Sequence, residues 1–143
     1  MISNTKMMLE NAYENKYAIA QFNINNLEWT KYILEECEQL KTPVILGVSE
    51  GAIKYMGGAK VVSNIVTSLI EELNITINVA LHLDHGSSLS VCQDCINAGF
   101  TSVMIDGSHL PLEENINLTK KVVEYAYPRN VTVEGEIGLI GGQ

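Results

Sequence analysis

No stretch of this 143-residue chain is apolar and long enough to span a bilayer, so no membrane-crossing helix is expected. The N-terminus, Met1 to Lys16, lacks the continuous apolar run of a secretory signal and mixes Asn, Lys and Glu with scattered hydrophobics. Cysteine is scarce and odd in number, at three, which argues against a disulfide framework and for reduced thiols in a cytoplasmic protein. The Asn-x-Ser/Thr triplets at Asn74, Asn117 and Asn130 then read as chance, because they matter only in a secreted chain. Basic residues are in deficit, nine against seventeen acidic, and a net charge of −8 offers no footprint for nucleic acid or an anionic membrane surface. Low-complexity tracts and Pro/Gly-rich linkers are also missing. What remains, with 46% apolar residues, is one globular unit or part of one, with a small molecule as its partner.

What the chain does contain is a regular alternation of helical and strand-like pattern. Met1 to Asn15 reads as a helix and Tyr17 to Asn23 as a short strand. Asn26 is placed to cap a helix over Leu27 to Leu40, which stops before Pro43. Pro43 to Val48 is almost wholly apolar, as a strand covered on both faces must be. Ser49, Glu50 and a Gly-containing stretch from Gly51 to Gly58 lead to a helix over Ala59 to Leu73, followed by a strand over Ile75 to Leu83. Ser87 or Ser88 can cap a helix through Ala98, with Gly99 as its left-handed end and Thr101 to Ile105 as the next strand. Pro111 suits the first turn of another helix, and Val131 to Ile137 reads as a fifth strand.

Five βα units in a row predict a parallel α/β sheet. An open doubly wound sheet, serving as a noncatalytic binding module, competes with a TIM (β/α)8 barrel of which this chain holds the first five or so units. Gly141-Gly142-Gln143 after the last strand supplies no covering helix, which favours the barrel.

Polar residues gather at the C-terminal end of every expected strand: Asn23, Ser49, Asp84 with His85, Asp106, and Glu134 with Glu136. In an α/β barrel that end is the mouth of the active site. Asp84-His85-Gly86 combines a carboxylate able to move a proton, an imidazole able to bind metal and a glycine that lets the backbone turn tightly, although a plain polar loop fits the same tripeptide. Glu134 and Glu136 lie two apart on a strand and so share a face; two carboxylates inside a barrel call for a cation, whereas on a solvent-facing edge they need nothing. His85, Asp106 and Glu136 together give one nitrogen and two oxygen donors, a set that suits zinc or a related divalent ion. His82 lies on the same side of its strand as Asp84 and reads as a satisfied interior or site-supporting histidine. Cys92 and Cys95 form a C-x-x-C pair in mid-helix, where packing fits better than a redox role.

The stretches YAIAQFNINNLEW (17 to 29), PVILGVSEGAIKYMGG (43 to 58), LHLDHGSS (81 to 88), NAGFTSVMIDGSHLPLEEN (97 to 115) and VTVEGEIGLIGG (131 to 142) together resemble, in order, the class II fructose-1,6-bisphosphate and tagatose-1,6-bisphosphate aldolases. The fructose enzymes are the nearer likeness. The resemblance implies the N-terminal part of a single TIM-barrel domain and a metal-dependent lyase of glycolysis. By it, Asp84 is the catalytic acid/base and His85 a zinc ligand, while Asp106 and Glu136 bind metal in a neighbouring or alternative position. Asn23 and Ser49 contact substrate, and Glu134 and His82 support the site. It further implies catalytic zinc, a second divalent ion, a monovalent cation and a homo-oligomer, dimer or tetramer. The family's two other zinc histidines and its glycine-rich phosphate loop would lie beyond Gln143, so the chain alone is expected to be inactive.

Overall fold

In the computed structural model, which describes residues 1–138, the apolar runs fall into one parallel sheet. Its strands are β1 (Ala20–Asn23), β2 (Val44–Ser49), β3 (Val79–Gly86), β4 (Ser102–Ile105) and β5 (Thr132–Gly135). They lie side by side in chain order, β1-β2-β3-β4-β5. A doubly wound sheet must reverse its strand order to cover both faces, and no reversal occurs among the described residues. Sequential parallel winding is the geometry of a barrel wall. The residues after the fifth strand on which the sequence based the same conclusion, Gly141 to Gln143, lie outside the described residues.

The helices are α1 (Thr5–Asn15), α2 (Leu27–Gln39), α3 (Glu50–Tyr55), α4 (Ala59–Glu72), α5 (Leu89–Ala98) and α6 (Leu112–Ala126), the last followed by a 3-10 turn over Tyr127–Arg129. Asn26 and Ser88 cap α2 and α5 by accepting from Trp29 N and Val91 N, and Gly99 ends α5 at φ 108°. Each such cap satisfies an orphan helix donor and contributes about 1 kcal/mol. α2 packs on α4, α4 on α5 and α5 on α6, forming an outer layer over one sheet face. Val44, Leu46, Val48, Leu81, Leu83, Val103 and Ile105 point into that layer and are essentially removed from water. Each contributes roughly 1.5–3 kcal/mol of burial. Among the described residues no helix is long and apolar enough to cross a membrane.

The opposite face would line the inside of a barrel. One register row crosses it, Asn23↔Gly47↔His82↔Ser102↔Thr132, and its residue types are small or polar. α1 closes the end of this face where the strands begin: Met8 packs against Ile45 and Ala80, and the Thr5 and Thr132 hydroxyls meet at 2.7 Å. The opposite end, where the strands finish, is left open.

Several boundaries differ from the sequence reading. The first helix starts at Thr5, because Asn4 caps it by accepting from Lys6 N. Residues 51–58 are not simply a loop: Ser49 accepts from Ala52 N and starts α3 despite Gly51. Pro111 precedes α6 at the cap position, and β5 stops at Gly135. β1 is shorter than Tyr17 to Asn23, and β3 begins at Val79, not Ile75.

In front of β3, Glu38 at the end of α2 takes the amides of Thr76 (2.8 Å) and Ile77 (3.2 Å) that a neighbouring strand would otherwise have taken. The Thr76 hydroxyl (2.8 Å) and Lys41 also donate to it. These bonds, led by that from Lys41, lower the Glu38 pKa from 4.5 to about 2. A carboxylate depressed on folding contributes stability that is fully present above about pH 4.5 and is lost as pH falls toward 2. Glu38→Gln is therefore expected to melt at a lower temperature than the unsubstituted chain at pH 7. The difference should narrow as the pH is lowered from about 4.5 toward 2 in melts followed by circular dichroism.

Candidate active site

The sheet ends in a group of polar side chains on its open side, and a backbone irregularity at the end of β3 decides which of them meet. Leu83 pairs with Val103 and Gly86 with Ile105, so β3 spends one residue more than β4 over the same span. This is a β-bulge, which re-aims the side chains it carries. His85 holds the left-handed conformation within it, at φ 51°, a state that costs a non-glycine residue about 1–3 kcal/mol. Strict alternation would turn His85 to the face opposite Asp84. The bulge instead brings its imidazole to the carboxylates at the ends of β4 and β5.

Gly86 serves this turn through space, not through its dihedral. A Cβ there would lie 2.7 Å from the Met104 carbonyl oxygen and 2.7 Å from Leu83 Cδ2. The close approach lets Asp106 N donate to Gly86 O at 3.0 Å and fixes the two strand ends together. Glu50, the first residue of α3, accepts from Ser87 N at 2.5 Å and ties down the chain just after the bulge.

His85 Nδ1 lies 2.9 Å from Asp106 Oδ2 and 3.6 Å from Glu136 Oε2. One donor atom from each of the three residues falls within 4.8 Å of the others. The hydrogen bond to Asp106 raises the imidazole pKa, with the Asp84, Asp106 and Glu136 charges adding to it against desolvation. Asp106 is held low, to about 2, by the Ser108 hydroxyl at 2.6 Å, by His85 and by Ser108 N at 3.0 Å. It is an anion throughout the ordinary pH range. Asn115 Nδ2 donates to Glu136 O at 2.7 Å and positions the third member. A nitrogen and two carboxylates at this spacing fit a divalent cation chemically, since zinc and related ions accept imidazole nitrogen and carboxylate oxygen together.

Asp84 stands beside this group on the interior face, where Gln21 Nε2 donates to its Oδ1 at 3.3 Å. Gln21 was not singled out in the sequence; its backbone pairs with Ile45 in the row of Ala80, and its side chain reaches the β3 end past Gly47. Asn23 and Ser49 end β1 and β2, and Ser49 pairs in register with Asp84. Ser49 Oγ accepts the α3 cap bond at 3.2 Å and keeps its own proton free to donate. A cavity of about 410 Å³ is lined by Gln21, Asp84, His85, Glu134 and Glu136 among others.

Glu134 of β5 and Glu136 just beyond it do not act together. Glu136 joins His85 and Asp106, whereas Glu134 Oε2 faces His82 Nε2 at 3.5 Å. Partial burial, and then the Asp84 charge, raise the Glu134 pKa. His82 is satisfied on one side only: Nδ1 meets Ser102 Oγ at 2.8 Å, while Nε2 is buried without a hydrogen bond. Burial lowers its pKa to about 4, so the ring is neutral. Cys92 and Cys95 are buried free thiols pushed up by desolvation to about 11 and about 12, which removes the redox reading.

Comparison with known proteins adds the following. A family model described as fructose-bisphosphate aldolase class-II matches residues 3–143. A fructose-bisphosphate aldolase of Geobacillus stearothermophilus is 62% identical over 138 residues, covering 96% of this chain and 48% of the relative. Those of several Staphylococcus aureus strains are 59% identical over the same span. The chain thus spans about half the length of the relatives it matches. Among solved structures, the YdjI aldolase of Escherichia coli K12 superposes with a TM-score of 0.89 at 31% identity, over 96% of this chain and 51% of that one. A fructose-bisphosphate aldolase of Campylobacter jejuni gives 0.87 at 23% identity, over 99% and 47%. The latter speaks for the fold alone.

Proposed function

The chain belongs to the class II fructose-bisphosphate aldolase family, and from that premise we propose that it supplies half of the active site of a metal-dependent fructose-1,6-bisphosphate aldolase. The observation that carries the proposal is the convergence of His85, Asp106 and Glu136 within 4.8 Å, with Asp84 beside them on the strand that bears His85. Residues 1–143 are read as part of one TIM-barrel domain, acting on a sugar bisphosphate in glycolysis. A cytoplasmic setting accords with three cysteines buried as free thiols.

In the cleavage direction the C3–C4 bond breaks and its electron pair stays on the three-carbon ketone phosphate. The C4 hydroxyl must lose its proton for the other fragment to leave as an aldehyde. Asp84 is the base for that proton, and Gln21 of β1 restrains its carboxylate from across β2. Zinc held by His85, with Asp106 and Glu136 as ligands of the same or an adjacent divalent ion, would supply Lewis-acid stabilisation of the negative charge left at C3. No Schiff-base lysine is needed. Ser49, with its hydroxyl proton free, and Asn23 bind the substrate from the β2 and β1 ends, Ser49 at a phosphate. Gly47 keeps the wall low between them, since a Cβ there would come within 3.0 Å of Asn23 Oδ1 and 3.1 Å of Gln21 Nε2. A monovalent cation and assembly of the whole enzyme as a dimer or tetramer complete the reading.

Isothermal titration of the full chain with cobalt(II) tests the metal assignment. One site is expected, weakened by His85→Ala at least by the roughly 10–100-fold that losing an outer-sphere partner costs. Binding of equal strength in the variant would refute it.

A further inference from the structure

His82 is 2% exposed and sits at the centre of the register row that crosses the inner sheet face. Among the described residues its Nε2 is the one buried side-chain nitrogen or oxygen without a hydrogen bond. An orphan of this kind costs about 1–3 kcal/mol. The nearest charged oxygen is Glu134 Oε2, at 3.5 Å, on a side chain that is largely exposed and therefore free to adjust. Thr5 of α1, Gln21 of β1, Ile45 of β2 and Ser102 of β4 line the same cavity of about 360 Å³.

We propose that His82 is a positioning residue for Glu134: Ser102 fixes the imidazole as its Nε2–H tautomer, and that proton holds the Glu134 carboxylate over the sheet, apart from the His85–Asp106–Glu136 cluster. The inference rests on the aldolase reading only in giving Glu134 a place beside Asp84 in that site.

A neutral imidazole carries one donor and one acceptor. If Nδ1 kept the proton and donated to Ser102 Oγ, the bare Nε2 lone pair would face a carboxylate oxygen at 3.5 Å, acceptor against acceptor. If Ser102 Oγ donates to Nδ1 at 2.8 Å, the proton moves to Nε2 and faces an acceptor that a few tenths of an ångström bring into hydrogen-bond range. Only the second arrangement satisfies both polar neighbours. Its consequence is a division of labour between Glu134 on β5 and Glu136 just beyond its end. Glu136 is left to the cation, and Glu134, tethered to the sheet, is withheld from it and turned toward the position next to Asp84.

Long-range proton–nitrogen NMR correlations on the full, histidine-labelled chain at neutral pH read the tautomer directly. His82 is expected with the proton on Nε2 and a bare Nδ1, and Glu134→Ala, a change at an exposed side chain, is expected to shift the Nε2 resonance. The side-chain carboxyl carbon of Glu134 adds a second readout. His82→Gln, whose amide nitrogen can stand near Nε2, should leave it close to its original shift, and His82→Asn, which reaches only the Nδ1 position, should move it. A proton on Nδ1, an Nε2 signal indifferent to Glu134→Ala, or equal Glu134 shifts in the Gln and Asn variants would overturn the proposal. Metal and substrate are absent from these measurements, so a failure of the aldolase reading would appear separately, in the metal titration.

Discussion

Asp84→Asn is expected to lower kcat by about 10²–10⁴-fold, the usual worth of a positioned acid/base group. The setting for the measurement is a fusion of residues 1–143 to the remaining half of the Geobacillus stearothermophilus enzyme, which is 62% identical over the matched span. Asn is isosteric with Asp and can still meet Gln21 Nε2 through its amide oxygen, so the strand end should keep its shape. What it cannot do is accept the proton of the C4 hydroxyl. The loss should therefore fall on kcat, with KM nearly unchanged and the cobalt(II) affinity of His85 preserved. An Asn variant that keeps more than a tenth of the parent kcat would remove Asp84 from the proton-transfer role.

Gly86→Ala should have a large effect for a single methyl group near the site. The new Cβ would stand 2.7 Å from the Met104 carbonyl oxygen, 2.7 Å from Leu83 Cδ2 and 3.2 Å from Cys92 Sγ. Leu83 can rotate, but the Met104 carbonyl belongs to β4 and cannot retreat without breaking the pairing of Gly86 with Ile105. Overpacking of this kind costs about 1–3 kcal/mol. At about 2–4 °C per kcal/mol for a chain of this size, the melting temperature should fall by about 2–12 °C. Because His85 directly precedes the clash, the imidazole should also move away from Asp106, and cobalt(II) affinity should fall even where the protein remains folded. Unchanged melting and unchanged affinity together would show that the bulge does not depend on this glycine.

Much of this structure was legible in the residues. The parallel sheet follows from the apolar runs, and the caps at Asn26, Ser88 and Gly99 are local signals that tertiary contacts leave alone. The gathering of Asp84, His85, Asp106 and Glu136 at one mouth follows once parallel strands are assumed, since their C-terminal ends must then lie together. The bulge was not legible. It exists because three residues of β3 after Leu83 span two of β4, and nothing in Asp84-His85-Gly86 announces which residue takes the positive φ. The sequence made Gly86 the turning residue; the structure gives the turn to His85 and uses Gly86 for clearance. Residues Ile75 to Asn78 read as strand by composition, yet Glu38, far away in the chain, takes the Thr76 and Ile77 amides. The helix α3 was hidden by the low helix propensity of Gly51, which the Ser49 cap offsets. The separation of Glu134 from Glu136 was equally hidden, because it depends on His82 and His85 lying at different depths along β3.

The most direct test of the account is cleavage of fructose 1,6-bisphosphate by the fusion protein before and after its metal is removed with a chelator. The account predicts cleavage that disappears on chelation and returns with zinc, and that does not return when His85 is replaced by Ala. Cleavage that survives complete metal removal, or a folded, zinc-loaded fusion that fails to cleave under conditions where the parent Geobacillus stearothermophilus enzyme does, would contradict it.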